Sequence, residues 1–87
     1  MAEVHLPTTL PPLFQGLPRQ LDLDAATVDD AIGQLDARWP GLRDRLCEPG
    51  PVLRRHINVY VDKRRAELDT PIEERSRVDV IAAISGG

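Results

Sequence analysis

The chain has 87 residues, enough for one small domain. Hydrophobic residues make up 41% and charged residues 29% of the sequence, which is typical of a folded, water-soluble domain. The formal net charge is −3 and the basic residues gather only in short pairs and triplets, which excludes a strong electrostatic site for nucleic acid or for a membrane surface. No apolar run approaches the ~18 residues that a membrane span needs, so we expect a cytoplasmic protein.

The reactive side chains are few and scattered. Cys47 is the only cysteine, which excludes an internal disulfide and a cysteine-based zinc site. His5 and His56 are far apart in the sequence and lack metal-ligand spacing. A domain of this length also buries only about 60–65% of its unfolded surface, which leaves little room for a catalytic cavity. We therefore predict no catalytic residue, no metal site and no bound cofactor.

The first elements in the chain are predicted to be two strands. Val4 and Leu6 alternate with polar residues until Pro7 interrupts the pattern. Leu21 and Leu23 repeat the alternation after a proline-rich loop, residues 8–18. The two strands are close enough in sequence to pair as a hairpin.

A helix follows the hairpin. Thr27 and Asp30 have the spacing of an acidic capping box, which satisfies free N–H groups at a helix start. One apolar stripe then continues at helical spacing, through Val28, Ala31, Ile32, Leu35 and Trp39. We expect Trp39 to anchor this stripe in the core, Gly33 to mark a close packing contact, and Pro40-Gly41 to end the helix.

The second half of the chain is predicted to complete a small sheet. The predicted elements are a short helical turn at 42–46, a break at 48–51, a strand within 55–62, a polar turn at 62–65, an edge strand at 66–68, one helical turn at 72–74 and a last strand at 77–81. This order predicts an α+β fold with one main helix packed across the sheet.

The sequence ends in Gly86-Gly87 directly after the last strand and a short segment. Glycines without side chains can pass through a narrow channel into the active site of another protein and deliver the α-carboxylate of Gly87 there. The alternative is a frayed terminus without a role.

Several stretches, in their order and spacing, resemble the MoaD/ThiS family of sulfur carrier proteins. They are the strand 56–62, the segment 68–72, the last strand 78–81 leading to 84–87, and the loop 7–10. The long segment between the helix and the strand at Ile57 is similar to the CysO type. The chain departs from the family at residues 74–77, where a Gly-Asp turn is usual, and at Ala82-Ala83, where a proline is common.

The resemblance implies a ubiquitin-like β-grasp fold in a single domain, residues 1–87, with 83–87 as an exposed reactive tail. It implies that a MoeB/ThiF-type enzyme uses ATP to adenylate Gly87 and that sulfur from a separate source converts it to a thiocarboxylate. Ile84, Ser85 and Gly86 would thread into partner active sites. The acceptor would be a biosynthetic enzyme that makes cysteine, molybdopterin, thiamin or another sulfur-containing metabolite, so the chain would be a co-substrate and not an enzyme.

Docking is expected on the sheet face that the helix leaves uncovered, with Arg55, Tyr60 and Arg77 as candidate contacts, and the free chain is expected to be a monomer. Two other functions stay open. A ubiquitin-like modifier would be joined to target lysines through Gly87, although Lys63 is the only lysine on which chains could grow. A non-covalent interaction domain would be unaffected by removal of Gly87.

Overall fold

The computed structural model describes residues 1–83. That part of the chain forms seven strands and two helices, in an order that matches the α+β prediction. The elements are β1 (Ala2–His5), β2 (Gln20–Leu23), α1 (Val28–Arg38), α2 (Leu42–Leu46), β3 (Cys47–Glu48), β4 (Val52–Leu53), β5 (Ile57–Val61), β6 (Arg64–Ala66) and β7 (Arg77–Ala82), with a 3₁₀ turn at Pro11–Leu13.

Five strands form one mixed sheet in the order β2-β1-β7-β5-β6. β1 pairs with β2 in the predicted antiparallel hairpin, and with β7 in parallel, where Val4 lies opposite Val78. β7 is antiparallel to β5 on its other side. The last strand is therefore central, held between the first strand and β5.

The core lies on one face of this sheet. Buried and half-buried residues alternate along β1 and β5, as expected for strands with one covered face. Their buried side chains join those of α1 and α2 in one apolar cluster, in which the largest fully buried members are Leu35, Leu42, Leu46, Val4, Val28, Val59 and Val78.

The predicted start of α1 is confirmed. The Thr27 hydroxyl accepts a hydrogen bond from the Asp30 amide at 3.1 Å, and the Asp30 carboxylate accepts one from the Ala26 amide at 2.9 Å. The next two helix amides are satisfied by distant residues, because the amides of Val28 and Asp29 donate to carbonyls in the segment 68–70. That segment thus completes the cap of the helix.

Gly33 does mark a close contact within the helical layer. Arg43 of α2 donates from Nη1 to the Asp29 carboxylate at 2.8 Å, and this hydrogen bond raises the pKa of Arg43. A Cβ added at Gly33 would lie 3.2 Å from Arg43 Nη2. The absence of a side chain therefore lets the guanidinium lie against α1.

Trp39 is not the core anchor that its spacing predicts. It is the C-cap of α1 and only half-buried, and its indole Nε1 donates to the Gln15 carbonyl at 3.1 Å. The Arg38 guanidinium lies 4.6 Å from the ring centroid. Trp39 therefore fastens the proline-rich loop to the end of the helix instead of filling the space under the sheet.

Two local predictions in the second half are wrong, and one element is additional. β6 begins at Arg64 because the turn needs only Asp62 and Lys63, both with positive φ (51° and 71°), as in a two-residue hairpin. The helical turn at 72–74 does not form, since Ile72 donates its amide to the Ala26 carbonyl at 2.9 Å and Pro71 bridges to Thr27. The break at 48–51 is the turn of an additional small hairpin, β3–β4.

The turn before β7, where the chain departs from the family pattern, is held by a buried serine. The Ser76 hydroxyl accepts from the Glu73 amide at 3.0 Å and donates to the Asp62 carboxylate at 2.8 Å. Asp62 also accepts from the Arg77 amide at 2.9 Å. Side-chain hydrogen bonds thus replace the backbone freedom that glycine would provide.

Candidate functional site

The predicted modification site, Gly87, and the predicted threading residues, Ile84, Ser85 and Gly86, lie outside the described residues. The structure does define the strand that leads to them. Val78 and Val80 anchor β7 in the core, with 2% and 6% of their surface exposed. The Ala83 amide then donates to the His56 carbonyl at 2.8 Å. The chain therefore approaches the predicted tail from the firmly held centre of the sheet.

An open groove runs along the end of β7. The parallel ladder with β1 stops at the pair His5–Asp79, and Pro7, two residues further along the chain, has no N–H with which to extend it. β7 continues to Ala82 beyond that point. The resulting groove has a volume of about 600 Å³, and its lining includes Leu6, Pro7, Arg19, Ile81 and Ala82.

The sheet face opposite the core is polar and accessible. Register places His5 and Tyr60 on either side of Asp79. Arg77 donates from Nε to both carboxylate oxygens of Asp79 at 3.1 Å, and this hydrogen bonding raises the pKa of Arg77. Glu3 contacts the ring of His5. We call Glu3, His5, Tyr60, Arg77 and Asp79 the open face. Glu3 is paired with His5 and Arg77 with Asp79, and polar side chains of this kind suit recognition by another protein.

An exposed apolar residue borders the open face. Ile81 has 47% of its surface exposed and lies opposite Asn58 of β5, at the end of the sheet from which the chain continues. A large apolar side chain within a polar surround is typical of a protein contact.

Two of the three predicted docking residues lie on the open face. Tyr60 is in β5 and Arg77 in β7, both pointing away from the core. Arg55 does not lie there. It occupies the turn before β5, beside the Ala83–His56 hydrogen bond, because β5 begins only at Ile57. Asp79 and His5, which sequence reasoning did not select for docking, lie at the middle of the face; the alternation in β7 was the signal that could have identified Asp79.

The remaining side chains that could carry chemistry do not form a reactive site in the described residues. Cys47 is 5% exposed at the end of α2, and burial raises the pKa of its thiol, which disfavours the nucleophilic thiolate. Within residues 1–83, no three His, Cys, Asp or Glu side chains are placed to hold a metal ion. The helices in that part of the chain are all too short or too polar to cross a membrane.

The comparisons with known proteins agree with this architecture. The ThiS family matches residues 13–87. The sulfur carrier protein CysO of Mycobacterium bovis is 29% identical over 97% of this chain and 96% of its own length. Small archaeal modifier protein 3 of Haloferax volcanii is 37% identical over 74% of this chain and 73% of its own length.

Solved structures share the whole fold. The CysO chain of the Amycolatopsis orientalis BexX/CysO complex matches with a TM-score of 0.87 and 26% identity, over 100% of both chains. Mycobacterium tuberculosis CysO matches with a TM-score of 0.84 and 27% identity, over 97% of this chain and 100% of its own. The resemblance to MoaD/ThiS proteins and the ubiquitin-like β-grasp prediction are therefore confirmed. The chain belongs to the ThiS family, as a β-grasp protein of the CysO type that is a sulfur carrier or ubiquitin-like modifier and a protein co-substrate rather than a catalyst.

Proposed function

We propose that this protein carries sulfur as a thiocarboxylate on Gly87. The main support is the placement of β7, which is the central strand and leads directly toward the segment that ends in Gly86-Gly87. The family match extends through Gly87. A carrier needs such an arrangement, since the reactive end must reach into a partner while the folded body stays outside it.

The chemistry requires two steps on a partner enzyme. In the first, the Gly87 carboxylate attacks the α-phosphorus of ATP, and pyrophosphate leaves as the acyl adenylate forms. In the second, a sulfide-equivalent nucleophile attacks the acyl carbon, the C–S bond forms, and the C–O bond to AMP breaks. Adenylation is needed because carboxylate oxygen is a poor leaving group until it is activated. A MoeB/ThiF-type enzyme would supply ATP and catalysis, and a separate sulfur donor would supply the sulfur.

The carrier would then dock on an acceptor enzyme. We propose that residues 83–87 form the tail and that Ile84, Ser85 and Gly86 occupy the channel to the acceptor active site. The open face and Ile81 lie next to the root of this tail and would contact the surface around the channel. The CysO chain from Amycolatopsis orientalis was solved in complex with a second protein, BexX, which supports docking of this kind.

Mass spectrometry of the C-terminal peptide tests the proposal. The full chain is incubated with a MoeB/ThiF-type enzyme, ATP and a sulfur donor, and the expected result is replacement of one oxygen by sulfur at Gly87. The peptide must be isolated because oxidation of Met1 or Cys47 gives the same nominal mass change. A chain lacking Gly87 is the matched control and should stay unchanged. An unmodified Gly87, under conditions that charge a Mycobacterium CysO, would refute the carrier function.

A ubiquitin-like modifier is the second candidate function. It is favoured by the 37% identity to a small archaeal modifier protein. Its signature is a target lysine that carries the C-terminal glycines of this chain in an isopeptide bond. Detection of that branched peptide in a digest of cells that express the protein would establish conjugation, and the sulfur assay above would report separately on the carrier function.

A further inference from the structure

Four arginines surround the turn that precedes β5. Arg54, Arg55 and Arg65 line a notch of about 210 Å³ whose lining also includes Leu53 and Glu67. An adjoining groove is lined by Asp44, Arg45, Arg54 and His56. We call Arg45, Arg54, Arg55 and Arg65 the tail-root cluster.

The fold creates the notch because β6 is shorter than its partner. The last β5–β6 pair is Val59–Ala66, so the beginning of β5, at Ile57 and Asn58, has no strand on that side. Arg65 is opposite Tyr60 at the rim of the open face, and Arg55 comes from the turn above. Residues distant in sequence are thus brought to one edge of the sheet.

The tail-root cluster lies beside the point where the chain leaves the sheet. His56, directly after Arg55, accepts the Ala83 amide hydrogen bond at 2.8 Å. A protein that receives residues 84–87 in its active site must therefore place part of its surface close to the turn that carries Arg55.

The charge of the cluster contrasts with that of the whole chain. The protein has a formal net charge of −3, whereas four arginines and only two carboxylates line the notch and the groove. Within residues 1–83, the ion pairs involve His5, Arg43 and Arg77, none of which belongs to the cluster. Arg54 donates from Nε to a carbonyl, that of Asp44, at 2.8 Å. The positive charge is therefore left available to a partner.

We propose that the tail-root cluster binds an acidic surface, made of Asp and Glu side chains, at the border of the tail entrance on the activating enzyme. The proposal rests on the function proposed above and defines the chemistry of that partner. Guanidinium groups bind carboxylates with paired hydrogen bonds, and opposite charges around an interface raise the association rate. The cluster thus orients the carrier before the tail enters the channel.

Two charge-reversed variants with equal net charge test this role. R55E/R65E changes the tail-root cluster. R64E/R75E changes two exposed arginines away from Ala83, since Arg64 lies opposite Val61 and Arg75 lies in the turn before β7. The affinity of each fluorescently labelled chain for a MoeB/ThiF-type activating enzyme is measured at low and high ionic strength, after circular dichroism confirms folding. We expect R55E/R65E to bind about tenfold more weakly than the wild type at low ionic strength, with a smaller difference at high ionic strength. The affinity of the control variant R64E/R75E should stay within about twofold of that of the wild type.

Several results would overturn the assignment. Equal losses of affinity in both variants would show an effect of net charge alone. The proposed acidic partner surface would be refuted by unchanged affinity of R55E/R65E, by affinity that does not depend on salt, or by a wild-type chain that does not bind. Binding of a labelled DNA duplex that only R55E/R65E abolishes would assign the cluster to nucleic acid instead. The carrier function is judged separately by formation of the thiocarboxylate on Gly87. If the wild-type chain forms the thiocarboxylate and R55E/R65E binds normally, only the role of the tail-root cluster is refuted. If binding depends on the cluster but no thiocarboxylate forms, only the carrier function is refuted.

Discussion

Replacing Ser76 by alanine would test how the turn before the last strand is held. The Ser76 side chain is buried, with 3% of the residue exposed. Its hydroxyl accepts the Glu73 amide at 3.0 Å and donates to Asp62 Oδ2 at 2.8 Å. Alanine would break both hydrogen bonds and leave the Glu73 amide without its acceptor in a partly buried position.

The expected loss follows from how well water can replace each bond. Asp62 and Glu73 are both exposed, whereas Ser76 between them is buried, so both hydrogen bonds are partly buried. Water would replace the hydroxyl only in part, and the loss should lower the free energy of unfolding by about 1 kcal/mol. For a domain of this size, that corresponds to a melting temperature lower by roughly 4–8 °C.

Urea unfolding followed by circular dichroism would measure the effect. Thr9→Ala is a suitable control, because it removes an exposed hydroxyl in the loop after β1 and should change stability by less than about 0.5 kcal/mol. Equal stability of Ser76→Ala and the wild type would refute the idea that the hydroxyl replaces the glycine turn. An equal loss in both variants would also refute it, by showing that the effect is not specific to this turn.

Two further predictions concern the core and acid stability. Leu35 has 1% of its surface exposed, so Leu35→Ala should lower the free energy of unfolding by about 2–5 kcal/mol in the same assay, and a loss below ~1 kcal/mol would show that α1 is not essential to the core. The hydrogen bonds from the Arg77 amide and Ser76 lower the pKa of Asp62 below its ordinary value of 3.8. Because the folded pKa is below the unfolded one, the stabilisation is present above about pH 4 and is lost as the pH falls through the folded pKa. Asp62→Asn should therefore be less stable than the wild type at neutral pH, with a difference that narrows in acid, and a difference independent of pH would contradict this role.

Patterns that depend on local chemistry predicted the main elements. The alternation of apolar and polar residues identified β1, β5 and β7, because successive side chains of a strand point to opposite faces and only one face is covered. Thr27 and Asp30 identified the start of α1, since free helix amides need acceptors whatever the rest of the fold. Two of the errors arise where a residue distant in the sequence supplies the hydrogen-bond partner. The segment after Pro71 bonds to Ala26 and Thr27 instead of forming its own helical turn, and Trp39 bonds to the carbonyl of Gln15.

Some features of the candidate site follow from sequence patterns and others do not. The paired glycines predict a tail donor, which stays a prediction because they lie outside the described residues. The place of Tyr60 and Arg77 on the open face follows from strand alternation. The position of Arg55 beside the tail root does not, because it depends on where β5 begins and which carbonyl Ala83 bonds.

Residue spacing and type along the chain are enough to predict the α+β class and the start of α1, and the family resemblance adds the chemistry expected of Gly87. Only the tertiary structure placed β7 at the centre of the sheet and brought Arg45, Arg54, Arg55 and Arg65 around the tail root. This arrangement depends on the strand order and on the length of β6. Hydrogen-bonded pairing between segments distant in the sequence sets which side chains become neighbours, and no local sequence pattern predicts that pairing.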